Sequence, residues 1–354
     1  MRFAYSEAAL GLAATFWLLI QAKEVLQPLL IALVCWFLIN ALARQYARIL
    51  GGTPDSPGVL ATLLSVVTAV AIAGALGLGV SRNAALLQGN IPLYEENLNA
   101  KLATLNEALG TLFSFNSEAL IDAINLDEIA LTLARSAVGF ITALVIVVVY
   151  TIFIFAEAQV FQKKLAAFRM SPPVAAQTRH ALSRIQRMIE VYFGVKCVVG
   201  LAQAIPTFLL LRWMEVDAPE FWSVLIFVFS FVPTIGSLIG IIFPSLLTLV
   251  QFPEIEPFLI TLGALAAVQL IGSNWLEPKL TGNSLDLSPL VVLLGVFIGA
   301  ALWGIVGALI AVPLLSIVML VFANIDAMRP VAILMSGGQG DFLDEQPDGV
   351  GSAQ

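Results

Sequence analysis

The run Pro289–Ala323, PLVVLLGVFIGAALWGIVGALIAVPLLSIVMLVFA, holds no charged residue across its 35 positions. As a single straight helix it would reach about 52 Å. A bilayer's hydrocarbon core is about 30 Å thick, and even a tilt of ~40° uses only about 39 Å of helix. The run must therefore bend, break or fold back, and Gly295, Gly299, Gly304, Gly307 and Pro313 supply places for it to do so. A second run, Phe221 to Phe252, repeats the anomaly with Pro233, Gly236, Gly240 and Pro244. Paired interrupted apolar segments are the sequence pointer to a transporter's substrate region.

With 59% hydrophobic and only 12% charged residues, a chain of 354 residues cannot hide its apolar side chains inside a soluble domain. The composition predicts an all-α, polytopic integral membrane protein. Separate apolar stretches fall at residues 8–22, 25–43, 59–80, 138–156, 197–211, 221–252, 257–273 and 289–323, giving about eight hydrophobic units. The first resembles a secretory signal in having Arg2 before a short apolar core, but Gln21 to Glu24 offer no small-x-small cleavage site, so a retained helix is expected.

The net charge of −7 argues against a nucleic-acid partner. Residues 81–137 hold seven acids and three bases, whereas residues 157–196 hold two acids and seven bases. The positive-inside rule then places 157–196 in the cytoplasm and 81–137 outside, with both termini cytoplasmic. The organisation this predicts is 1–80, three membrane helices; 81–137, an external amphipathic segment broken near Pro92 and at Phe115–Asn116; 138–156, a fourth membrane helix; 157–196, a basic amphipathic helix at the lipid headgroups; 197–325, a transport core; and 326–354, a cytoplasmic tail, disordered from about 337. Ile185, Met188, Ile189 and Tyr192 form the apolar face of the basic helix.

Cys35 and Cys197 read as ordinary buried residues, and with the single histidine, His180, in the basic segment no metal site is expected. Nucleotide-binding and hydrolase motifs are missing, so neither an ATP-driven pump nor an enzyme is expected, and no cofactor.

The carboxy-terminal half has an internal logic. If 197–211 runs outward, a fold-back at Pro233–Gly236 returns the next run to the outside, 257–273 crosses inward, and 289–323 enters and leaves on the cytoplasmic side. Each half is one span plus one broken or re-entrant helical hairpin, in opposite directions: an inverted repeat. A hairpin tip leaves backbone groups without helical partners, and lipid cannot satisfy them. Pro233, Gly236, Gly240, Gly304 and Gly307 are therefore candidate pathway residues; the competing reading is that they merely permit packing and kinks. Glu277, at the end of an apolar helix, can bind a cation, carry a proton, or sit at the interface. Pro278 is expected to end that helix, and Lys279 lies close enough to pair with Glu277. Asn274 and Gln269 fall one and about two turns before Glu277 and can share its face, with Gln203 a weaker candidate.

FVPTIGSLIGIIFP (Phe231–Pro244), NWLEPKLTG (Asn274–Gly282) and LSPLVVLLGVFIGAALWGIVGALIAVP (Leu287–Pro313) together resemble the signature region of the autoinducer-2 exporter family, the PerM-like permeases. The likeness is strongest over residues 180–325 and least specific over the first 135. It implies a bacterial inner-membrane transporter that assembles into homo-oligomers, some relatives being linked to autoinducer-2 export and others to monovalent cation/proton antiport. The family's motif positions fall on Pro233, Gly236 and Pro244, on Asn274, Glu277, Pro278 and Gly282, and on Gly304, Gly307 and Pro313. Of these, Pro244, Pro278, Gly282 and Pro313 are expected to act as hinges. The leading expectation is a secondary exporter of a small polar solute working by alternating access. The alternatives are a cation/proton antiporter using Glu277, and a non-transporting scaffold or channel-like oligomer.

Overall fold

The computed structural model describes residues 17–53, 58–109, 144–158, 172–281, 286–325 and 327–338, with residues 11, 14, 160 and 164. The expected break at Phe115–Asn116, the hinge at Gly282 and most of the tail beyond 337 lie outside the described residues. Among the described residues the secondary structure is helical, apart from an isolated antiparallel bridge between Leu287 and Ser336. The helices are α1 (Lys23–Ile49), α2 (Val59–Gly89), α3 (Ile91–Leu109), α4 (Leu144–Ala158) and α5 (Pro172–Trp213). They continue with α6 (Pro219–Phe229), α7 (Ile235–Gln251), α8 (Glu256–Ile271), a π-helical turn (Gly272–Leu276), α9 (Glu277–Thr281), α10 (Pro289–Ala323) and α11 (Arg329–Met335). Among the described residues, four stretches are long and apolar enough to cross a membrane: Lys23–Ile49, Ala181–Trp213, Glu256–Thr281 and Pro289–Ala323. Large apolar side chains such as Ile205, Leu209, Leu259 and Phe297 are exposed along them, as a lipid-facing surface requires.

The chain forms two compact units, one of residues 1–41, 146–195 and 280–354, the other of residues 42–145 and 196–279. Each holds one of the two long apolar runs.

In the second unit the run 221–252 is two helices. α6 stops at Phe229, and α7 starts after Thr234, whose φ of 67° lies in the left-handed region. The two arms pack antiparallel with small residues at the seam. A Cβ on Gly236 would fall on the Phe229 carbonyl, and one on Gly240 would lie 3.0 Å from Ile226. Lipid tails are as apolar as leucine, so helices in a bilayer associate through close backbone approach rather than apolar burial. Helix α2 packs on α6 and α3 on α7. Asn90 separates α2 from α3, so the expected break near Pro92 falls two residues earlier. Asn97 and Lys101, one turn apart on α3, donate to the carbonyls of Leu249, Val250, Gln251 and Phe252. These are the orphan acceptors at the negative end of α7's dipole, and they are satisfied by side chains from a neighbouring helix. Burial at that contact lowers the pKa of the Lys101 ammonium, opposed by Glu254.

In the first unit α10 reverses at Trp303–Gly304, where φ/ψ are −133°/22° and 59°/−143°. A Cβ on Gly299 would lie 2.5 Å from the Gly307 carbonyl oxygen, and one on Gly307 would fall on the Gly299 carbonyl. Further from the turn, Gly295 faces Leu315. These pairings make α10 two arms of a hairpin. Its feet are tied by α11, since Ser288 N–H donates to the Met335 carbonyl at 2.9 Å and Gly337 N–H to that of Asp286 at 2.9 Å. Pro313 and, in α7, Pro244 sit buried within helix that continues through them, with no break at either. Membrane helices tolerate such prolines because neighbours re-satisfy the released carbonyls.

The expected headgroup helix and fifth span belong to one continuous helix. α5 runs unbroken for 42 residues through both segments. Its buried stripe, Met188, Ile189, Tyr192, Phe193, Lys196, Val199, Gln203, Thr207 and Leu211, keeps the 3.6-residue period from end to end.

Candidate functional site

The polar groups of the second unit converge where the final part of α5 meets α8 and the π turn. Lys196 pairs with Glu277, Gln203 donates to Ser273, and Thr261 donates to Met214 Sδ at 3.5 Å. The partner positions descend on one helix as they rise on the other, which fixes an antiparallel register. Leu211 and Leu265 close the apolar end of this stripe and are fully buried.

Lys196 is the one charged residue among the buried side chains of the described chain. Its ammonium lies 2.5 Å from Glu277 Oε1, with side-chain exposures of 3% and 28%. Burying a lone ammonium in apolar protein is costly, and the carboxylate offsets that cost. The expected pairing of Glu277 with Lys279 does not occur. Lys279 instead places its ammonium 4.8 Å from the Trp275 ring centroid.

One helical turn from Glu277, Ser273 accepts from Gln203 Nε2 at 3.2 Å and shares a hydrogen bond of 3.1 Å with Ser237 on α7. A second turn back is Gln269, 2% exposed, whose Nε2 has no hydrogen-bond partner among the described residues. Its amide packs against Gly240, where a Cβ would lie 2.7 Å from Nε2. Gly272 similarly makes room for Gln203.

The π turn decides which side chains join this set. Glu277 N–H donates to the Gly272 carbonyl, five residues back. Pro278 has no N–H to continue the four-residue ladder, and a widened turn absorbs the fault. Pro278 therefore does not end the helix, which continues through Thr281; the irregularity lies upstream of it. In a widened turn the spacing of four aligns Gln269, Ser273 and Glu277, and turns Asn274 outward, where it is exposed. Asn274 is thus absent from the cluster and Ser273 stands in its place.

Of the other candidates, Gly236 and Gly240 form the seam of the α6–α7 hairpin, and Pro233 is half-buried in its turn. Gly304 and Gly307 belong to the first unit. There Trp303 holds the reversal in place, its Nε1–H donating to the Leu19 carbonyl at 3.0 Å and its own carbonyl accepting from Gln27 Nε2 at 2.8 Å. The Trp303 carbonyl at this tip is thus satisfied by a protein side chain. Gln27, Lys196, Ser237 and Ser273 were not singled out from sequence. The missed signal for Lys196 was the apolar face at Met188, Ile189 and Tyr192: extended by one turn, it lands on this lysine.

The arrangement has no nucleophile–base pair set for hydrolysis. It offers a line of hydroxyl and amide groups, one unsatisfied donor, and a carboxylate whose charge is already balanced. Such a set can exchange hydrogen bonds with a polar solute, or trade the lysine for a mobile cation.

The AI-2E family transporter description matches residues 8–327, nearly the whole chain. A protein of Borreliella burgdorferi, whose name assigns it to transport without a substrate, is 34% identical over 204 residues, 57% of this chain and 56% of its own length. The AI-2 transport protein TqsA of Escherichia coli is 27% identical over 322 residues, covering 89% of this chain and 90% of its own. A sodium-lithium/proton antiporter of Halobacillus andaensis is 30% identical over 134 residues, 38% of this chain and 34% of its own.

Proposed function

The chain belongs to the AI-2E transporter family, and from that membership we propose a secondary transporter of the bacterial inner membrane that exports a small, polar, autoinducer-2-like solute by alternating access. The observation that carries this reading is the buried Gln269 Nε2, without a hydrogen-bond partner among the described residues, beside the Gln203–Ser273–Ser237 hydrogen bonds. An unsatisfied buried donor costs roughly 1–3 kcal/mol, which a hydroxyl or carbonyl of the solute returns on binding. The charges next to it are already compensated, which suits a solute without net charge. In this reading both apolar runs are re-entrant hairpins of an inverted repeat, both termini are cytoplasmic, and the protein works as a homo-oligomer.

The test is efflux from proteoliposomes loaded with autoinducer-2. Gln269→Leu, which keeps the bulk and removes the donor, is expected to lower efflux at least tenfold while insertion is unchanged. Wild-type efflux from that variant would remove the cluster from the pathway.

A second reading, monovalent cation/proton antiport, is favoured by the Lys196–Glu277 pair and by the likeness to the Halobacillus antiporter. It expects sodium- or lithium-driven proton exchange that vanishes in Glu277→Gln. Intact exchange in that variant rules out the carboxylate mechanism. A non-transporting scaffold, by contrast, expects normal function after Gly236→Leu in a folded, inserted protein.

A further inference from the structure

A second polar feature of the same unit lies sixteen residues beyond Lys196 along α5, about 24 Å away at the helical rise. It is a cleft of about 660 Å³ whose lining includes Arg82, Asn83, Arg212, Glu215, Asp217 and Glu220. That volume is in the range of small-molecule sites.

Oppositely charged side chains sharing a cleft usually pair with one another, yet these do not. Asp217 accepts from Asn90 Nδ2 at 2.8 Å and from the Tyr94 hydroxyl at 2.6 Å. Glu220 accepts from the buried amide of Asn83 at 3.5 Å. Neutral donors thus engage two of the three carboxylates. The guanidiniums of Arg82 and Arg212 and the carboxylate of Glu215 have no hydrogen-bond or ion-pair partner among the described residues.

The wall carrying these groups is held in a strained form. Glu215 and Ala218 have φ of 56° and 57°, a region side-chain-bearing residues seldom adopt. Gln251 fixes the segment between them, donating to the Glu215 carbonyl at 2.8 Å and accepting from the Asp217 N–H at 2.8 Å. Tyr94 and Asn90 anchor it from α3 and the α2–α3 junction. Strain that several independent contacts maintain is found preferentially where a site needs a set geometry.

We propose that this cleft binds a small zwitterion, with a phosphate or carboxylate group between Arg82 and Arg212 and a primary ammonium at Glu215 and Glu220. Both arginines present forked donors suited to an oxyanion. A ligand with only negative charge is opposed by three lining carboxylates, and one with only positive charge by two guanidiniums; a ligand carrying both satisfies both sets. The proposal stands independently of the transport reading. The ligand's source is either a soluble zwitterion or an ethanolamine phospholipid headgroup, which carries the same two groups.

The experiment uses the full chain, purified in detergent without ethanolamine lipid and titrated calorimetrically with sn-glycero-3-phosphoethanolamine, sn-glycero-3-phosphate and ethanolamine. Saturable binding of the first, at least tenfold tighter than either fragment and at least tenfold weaker in Arg82→Gln/Arg212→Gln, supports the proposal with a soluble ligand. Both arginines are exposed, so the double variant is expected to unfold at the wild-type temperature, which a melting curve checks. If the soluble probe fails but phosphatidylethanolamine is retained from mixed nanodiscs over phosphatidylglycerol, and the double variant loses that preference, the same chemistry holds with lipid as the source. Glycerophosphate binding as tightly as the zwitterion, or no arginine-dependent preference in either arm, overturns it.

Discussion

At the residue scale, the Lys196–Glu277 pair concentrates the electrostatic risk of the chain. Removing one partner of a fully buried pair costs about 3–5 kcal/mol, and less is expected here because Glu277 keeps 28% side-chain exposure. Glu277→Gln strands the lysine, so a drop in apparent melting temperature is expected, whereas the double variant Lys196→Met/Glu277→Gln recovers much of it. A melting-curve double-mutant cycle reads the coupling, and additive effects would mean that the pair is not formed. Tyr94 gives a separate, pH-dependent signature. Its pKa is raised by burial first, then by its hydrogen bond to Asp217 and the charge of that carboxylate. A phenol whose folded pKa exceeds its unfolded value, ordinarily about 10, contributes stability that is complete below that pH and is lost as pH rises above it. Wild-type protein is therefore expected to lose stability above pH ~10 more steeply than Tyr94→Phe, checked by melting curves across that range. Gln269 and Glu277 were legible as candidates because polar groups in an apolar helix stand out. Lys196 was not, because it closes a basic segment and reads there as one more cytoplasmic charge.

At the element scale, the need for an interruption in each long run follows from length alone, but not the place or form it takes. Of the five glycines and prolines offered by the run 289–323, only Gly304 takes a non-helical conformation, together with Trp303. Gly295, Gly299 and Gly307 serve packing instead. The two roles predict different responses to substitution. At Gly304 a Cβ meets nothing within 4 Å, but φ of 59° makes any side chain strained, so Gly304→Ala is expected to cost about 1–3 kcal/mol. At Gly307 the opposite arm occupies the space, so Gly307→Leu must push the arms apart, costing roughly 3 kcal/mol or more. Thermal unfolding in detergent separates them, and equal effects would deny the distinction. The π turn was similarly hidden. Pro278 signalled an interruption, but a proline's missing N–H can be absorbed by a widened turn upstream as well as by a helix end, and sequence does not choose between them.

At the scale of the whole molecule, the family and the long apolar helices make this a membrane transporter, and the re-entrant topology proposed for it carries a direct prediction. With Cys35 and Cys197 replaced, Glu254→Cys is expected to react with a membrane-impermeant maleimide from outside intact cells, and Gly337→Cys only after permeabilisation. Labelling of both from the same side would defeat the opposed hairpins. The sequence by itself determined that the chain is membrane-embedded, because apolar content on this scale has no soluble solution, and that two runs must bend, break or fold back, because each exceeds the thickness it has to cross. Only the tertiary structure decided which polar groups meet. Lys196 and Glu277 are 81 positions apart, and their pairing depends on the antiparallel register of α5 against α8 and on the additional residue taken up by the π turn. Those are properties of packing between helices, which no periodicity within one helix encodes.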